Sequence, residues 1–174
     1  MSSNVRGALI AELSTAMRVF MAHAVLYQDA VAKWAGMNST DLQCAGLLML
    51  EGTMTPSALA TRTGLSVGGA ITAVIDRLEA AGYVHRSRDT VDRRKVLVTP
   101  NAEALQQRVG PVYARVAGLW NDYLATLDDN QIALATEILT NATRINRAVT
   151  DQLHTTPSSD PGKPPRPGNR TSHL

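Results

Sequence analysis

Residues Ser66 to Val84 read SVGGAITAVIDRLEAAGYV, and this stretch decides the fold. Ile71, Val74, Ile75 and Leu78 recur at i, i+3, i+4 and i+7, the spacing that lays one apolar stripe along an α-helix. Ser66 is expected to cap that helix and Gly82 to end it. With the stripe turned inward, Gly68, Gly69, Thr72, Ala73 and Asp76 face the other way. Small side chains on an exposed helix face permit close approach to a partner surface, and a major groove of duplex DNA admits such a helix.

Outward from this helix the punctuation is regular. Upstream, Thr55 and Pro56 are the cap and first position of a short helix that Gly64 closes. Asn38, Ser39 and Thr40 offer a cap for the helix before it, with Leu42, Gly46, Leu47 and Leu50 expected inward and Gly52 after it. A long first helix carries apolar residues from Ile10 through Leu13, Met17 and Phe20 to Trp34, and Gly36 stops it. Downstream, Tyr83 to Arg88 and Lys95 to Val98 alternate as short strands joined by a polar turn. Two long helices follow, one bearing Leu105 to Leu127 and one capped by Asp128 and bearing Ile132 to Leu153. The fold class is mainly α: four helices, a two-stranded wing, two more helices, with a winged helix-turn-helix at the centre.

Composition narrows the function. The chain has 174 residues with 44% hydrophobic and 18% charged, in the range of a folded domain. No stretch approaches the roughly 18 uncharged apolar residues of a membrane helix, and the first residues show no signal-peptide pattern, so a cytoplasmic protein without membrane association is expected. The net charge of +2 hides a pattern, because residues 53–100 hold seven basic and four acidic side chains between two acidic flanks. A basic centre suits an anionic partner. The single cysteine excludes an internal disulfide. The four histidines lack metal-ligand spacing, and no nucleophile elbow, P-loop or strand-borne GxGxxG is present, so neither an enzyme nor a cofactor is expected.

Residues Gly69 to Val84 and the following run Arg86-Ser-Arg-Asp-Thr-Val-Asp-Arg-Arg-Lys-Val-Leu-Val-Thr99 resemble the recognition helix and wing of the multiple-antibiotic-resistance regulator (MarR) family. The D-R-L-E, G-hydrophobic-V and D-x-x-D-x-R elements stand in the family's order and spacing, and the helix order matches over about residues 5–153. The resemblance implies a homodimeric transcription regulator, a repressor on a pseudo-palindromic double-stranded operator, released by a small aromatic or phenolic effector. It implies DNA contacts from Ser66, Gly68, Gly69, Thr72 and Arg77 on the helix and from Arg86, Arg88, Asp92, Arg93 and Arg94 on the wing. In that scheme Asp92 braces the wing while Arg94, or Arg93, enters a minor groove. Two departures are Ala73, where the family usually has a polar reader, and Pro100, where it usually has glycine. Asp76 is expected to orient Arg77 or a wing arginine. Arg86 and Arg88 read equally as a solvated strand face.

The same resemblance places an effector pocket near the first, second and fifth helices, where His23, Tyr27, Trp34, Met37 and Cys44 are candidates. Residues 1–36 and 101–153 are expected to form the dimerisation region, 37–100 the DNA-binding domain, and 154–174 a disordered basic, proline-rich tail. Cys44 has no basic neighbour in sequence to lower its thiol pKa, so an inert buried thiol is expected. The competing reading is a winged-helix module that binds protein and has no specific DNA binding.

Overall fold

The computed structural model describes residues 3–155; the expected tail lies outside the described residues except for His154 and Thr155, which close the last helix. The order is α1 (Ser3–Trp34), α2 (Ser39–Glu51), α3 (Pro56–Thr63), α4 (Gly69–Ala80), β1 (Val84–Arg88), β2 (Val96–Pro100), α5 (Ala102–Leu124) and α6 (Asp129–Thr155). The described residues fall into two compact units that divide after Thr126.

The first unit is held by a core of Val31, Leu42, Cys44, Leu48, Leu59, Ile71, Ile75, Leu78, Val98 and their neighbours. All four members of the α4 stripe are buried in it. Helix α2 buries Leu42 and packs Leu47 against the core as the sequence suggests, but Asp41, Cys44, Ala45 and Leu48 are buried as well, whereas Leu50 is 85% exposed. This second set is itself spaced i, i+3, i+4, i+7, and what hides it in the sequence is that it begins with an aspartate.

Local chemistry accounts for the helix ends. The Asn38 side chain accepts from the backbone N–H of Asp41, Thr55 from Ala58, and Asn101 from Ala104. Helix α4 is the exception. Its N-cap is Gly68, with φ 117° and no side-chain cap bond, and Ser66 sits in the preceding turn instead of capping. A side chain at Gly68 would be strained there, so the turn into α4 is built on glycine's freedom.

Strands β1 and β2 pair antiparallel, with Val84 opposite Pro100 and Arg88 opposite Val96. A bridge the sequence does not announce joins Met54 to Val98 through two backbone hydrogen bonds of 2.7 and 3.1 Å, which fastens the wing to the segment before α3. Asn101 then joins β2 to α5: its N–H donates to the Tyr83 carbonyl and its amide to that of Gly82.

Helix α5 is tied to the end of α1. Arg108 Nε donates to the Ala35 carbonyl at 2.9 Å, and its guanidinium lies 5.7 Å from the Trp34 ring centroid. Much of α1 is apolar and exposed, including Leu9, Ile10, Leu13, Phe20 and Met21. By length and composition alone α1 is apolar enough to cross a membrane, a property that a count of uncharged runs does not register. Glu12 and Arg18 interrupt the run without making the helix polar on average.

In the second unit, Asp128 and Gln131 form a reciprocal cap at the start of α6, each side chain accepting from the other's backbone N–H at 2.9 Å. Leu134, Leu139, Ile145, Val149 and Leu153 are exposed along this helix.

Candidate nucleic-acid interface

The outward face of α4 carries Ser66, Gly68, Gly69, Thr72 and Ala73 exposed together, as the sequence predicts. Nothing lies within 4 Å of where a Cβ would stand on Gly68 or Gly69, so the face opens directly to solvent.

The charged residues of α4 point elsewhere. Arg77 donates to the buried carboxylate of Asp41 on α2, through Nε to Oδ2 at 3.0 Å and Nη2 to Oδ1 at 2.6 Å. This planar, two-point pairing fixes the α2–α4 packing. Asp76 pairs with Arg86 Nη2 at 2.5 Å, so its expected role as an orienting acid falls on a β1 arginine.

Arg86 is the hub of a second network. Its Nη1 pairs with Glu79 of α4, and its backbone N–H donates to Glu79 Oε1 at 2.9 Å. These bonds, the backbone one foremost, hold the Glu79 carboxyl below its ordinary range. Arg86 is thus tied through its guanidinium and its backbone N–H to two acids of α4, which locks the wing onto that helix. Arg88 is exposed and reaches the Arg94 carbonyl at 3.5 Å.

The wing turn is organised by two aspartates. Asp89 Oδ1 accepts from the N–H of Val91 at 2.7 Å and of Asp92 at 3.3 Å, which depresses its pKa. Asp92 Oδ1 accepts from the N–H of Arg94 at 3.1 Å, and Lys95 Nζ stands 3.8 Å from Asp92 Oδ2. The guanidinium groups of Arg93 and Arg94 are exposed on this braced turn, with no carboxylate in ion-pair range among the described residues. Asp41, Glu79 and Asp89 are supporting residues that the sequence reading did not single out. Asp89 and Glu79 had a visible signal, as the first acid of the D-x-x-D-x-R element and the last residue of D-R-L-E; Asp41 had none.

The pocket candidates separate. A cleft of about 490 Å³ between α1 and α5 is lined by Tyr27, Ala30, Val31, Trp34, Pro111, Val112 and Arg115. Tyr27 and Trp34 are therefore at the cleft. Met37 and Cys44 are buried in the core, and His23 is exposed one turn before Tyr27. The Tyr27 hydroxyl is buried without a hydrogen-bond partner among the described residues, and its ring meets Tyr113 edge-on at 6.2 Å. Burial, with Asp41 nearby, pushes the Cys44 thiol up to about 11.

Comparison with known proteins agrees with this geometry. Residues 37–96 match the model of the MarR family. The uncharacterised HTH-type transcriptional regulator YcgE of Bacillus subtilis is 44% identical over 89 residues, which are 49% of this chain and 57% of the relative. The chain spans about half the length of the curated relatives it matches. The structure of Streptococcus pneumoniae FabT in complex with DNA superposes with a TM-score of 0.60 at 15% identity, covering 80% of this chain and 99% of that one. The structure of NadR in complex with 4-hydroxyphenylacetate gives 0.52 at 22% identity, covering 83% and 95%. At these identities the two structures speak to fold. Residues 37–96 thus form a winged helix-turn-helix that matches the MarR family.

Proposed function

We propose that this chain is a cytoplasmic, non-enzymatic transcriptional regulator that binds double-stranded DNA as a homodimer, represses from a pseudo-palindromic operator and is released by a small aromatic effector. The observation that carries the reading is the wing tip: Arg93 and Arg94 are exposed and unneutralised on a turn whose acids are engaged with its own backbone. A pre-shaped pair of guanidinium groups fits a narrow, electronegative minor groove. Helix α4, locked to that wing through Arg86, would occupy the adjoining major groove. FabT in complex with DNA supports assigning this role to the fold.

The exposed apolar face of α1 supports the dimer, since a contiguous stripe of this kind marks an interface and a twofold partner would cover it. Glu12 and Arg18 within that helix favour a protein partner over a bilayer. The α1–α5 cleft supports the effector: its walls are aromatic and aliphatic, Arg115 offers a cation for a carboxylate, and the unpartnered Tyr27 hydroxyl offers a hydrogen bond. The phenolic acid bound to NadR has this chemistry.

Fluorescence anisotropy on the duplex upstream of the chain's own gene, with a shuffled duplex as control, tests the reading across a salt series. Tight, salt-dependent binding to the upstream duplex alone is expected. Absence of binding to any duplex would overturn it in favour of a protein-interaction module.

A further inference from the structure

Resting on the DNA-binding reading above, we infer that α4 selects thymine: the outward methyl groups of Val67, Thr72 and Ala73 take up the C5-methyl groups of A·T pairs in the major groove. The argument is an inventory of what the exposed face between Ser66 and Arg77 can offer. Bidentate readers of guanine and adenine are arginine, lysine, asparagine and glutamine, and the face presents none of them free. Arg77 is committed to Asp41. Asp76, which could accept from a cytosine amine, is held by Arg86.

What remains is the hydroxyl groups of Ser66 and Thr72, which donate and accept alike and so single out no base, and a set of apolar groups. Val67 is 70% exposed in the turn that Gly68 makes into α4, an isopropyl group presented to water. Thr72 and Ala73 are exposed one turn further along. Gly68 and Gly69 put no side chain between them, so the backbone can come close enough for methyl-to-methyl contact. The thymine methyl is the feature of the major groove that apolar groups recognise, and cytosine has only a C–H at that position.

Selection of duplexes from a random pool with the wild-type protein, followed by anisotropy on the enriched duplex, tests this. That duplex is resynthesised with deoxyuridine replacing one thymine at a time, which removes a methyl and keeps every base-pair hydrogen bond. The expected result is a half-site containing thymines, at least one of which loses about fourfold in affinity on replacement, the factor given by about 0.8 kcal/mol per buried methyl. In the double variant Val67→Ala/Thr72→Ser the same replacement should cost less than about twofold, since fewer methyls meet it. Selective binding that is indifferent to deoxyuridine, or a half-site anchored on guanine, would overturn this inference and leave the DNA-binding reading standing. A penalty that persists undiminished in the variant would overturn the assignment to these side chains. Enrichment of no sequence at all would overturn the DNA-binding reading, and this inference with it.

Discussion

Arg77 on α4 and Asp41 on α2 form an unequal pair: the carboxylate side chain is 7% exposed and the guanidinium 48%. Removing the arginine strands a buried charge, whereas removing the aspartate leaves a cation that water reaches. Arg77→Ala should therefore cost about 2 kcal/mol of stability and Asp41→Ala about 1. The first figure is below that of a fully buried pair because Asp41 also lies in the first turn of α2, where the helix dipole favours an anion. Urea unfolding of both variants checks the order, and a costlier Asp41→Ala would contradict it.

The wing turn should fail in acid in a defined direction. Asp89 is held below its ordinary 3.8 by the N–H groups of Val91 and Asp92, and Glu79 is held low by Arg86. A carboxylate whose folded pKa is depressed contributes stability above its unfolded value and loses it as pH falls through the folded one. The contribution is thus complete at neutral pH and declines below about pH 4. Unfolding free energies measured from pH 7 down to pH 3 should fall less steeply in Asp89→Asn than in the wild type. An equal slope in the variant would contradict the role given to Asp89.

If α1 is covered by a second copy, a charge on its apolar face should separate the copies. Leu13→Glu combined with Phe20→Glu is expected to convert a dimer to a monomer in sedimentation velocity, with the winged domain still folded by circular dichroism. A wild-type monomer, or a variant that remains dimeric, would remove α1 from the interface.

Cys44 has 0% exposure and a thiol pKa near 11, so little thiolate exists at pH 7.5. Iodoacetamide should modify it slowly in the native protein and within minutes in guanidinium chloride, as read by intact mass. Rapid native alkylation would show that this part of the core opens.

The fold was legible where a residue's role depends on its neighbours in sequence. Thr55 with Pro56, Asn38 before α2, Asp128 with Gln131, and the four-residue stripe of α4 all act within one or two turns. The Asp89-to-Lys95 turn could likewise be read from its own aspartates and arginines. What escaped is set by partners far along the chain. Asp41 looks like a surface residue until Arg77, 36 positions later, comes to face it. Arg86 reads equally as a solvated strand residue or a phosphate ligand; a wing arginine was one expected partner of Asp76, but Glu79 sits on a helix that Arg86 meets only through the fold. The inward face of α2 was read correctly at Leu42 and Leu47 but not at Leu50, since the buried Asp41 breaks an apolar count. Ser66 was misjudged as a cap because the N-cap position falls two residues later, on Gly68. Arg115 and Pro111 enter the cleft only because α5 packs against the end of α1.

The central claim is that the braced wing delivers unpaired arginine to DNA, and Arg94→Ala tests it most directly. Anisotropy of wild type and variant should be compared on the same upstream duplex over a salt series. The account predicts at least about a tenfold loss of affinity at moderate salt and a salt slope smaller by about one. Unchanged affinity and slope, in a variant with unaltered thermal unfolding, would contradict it.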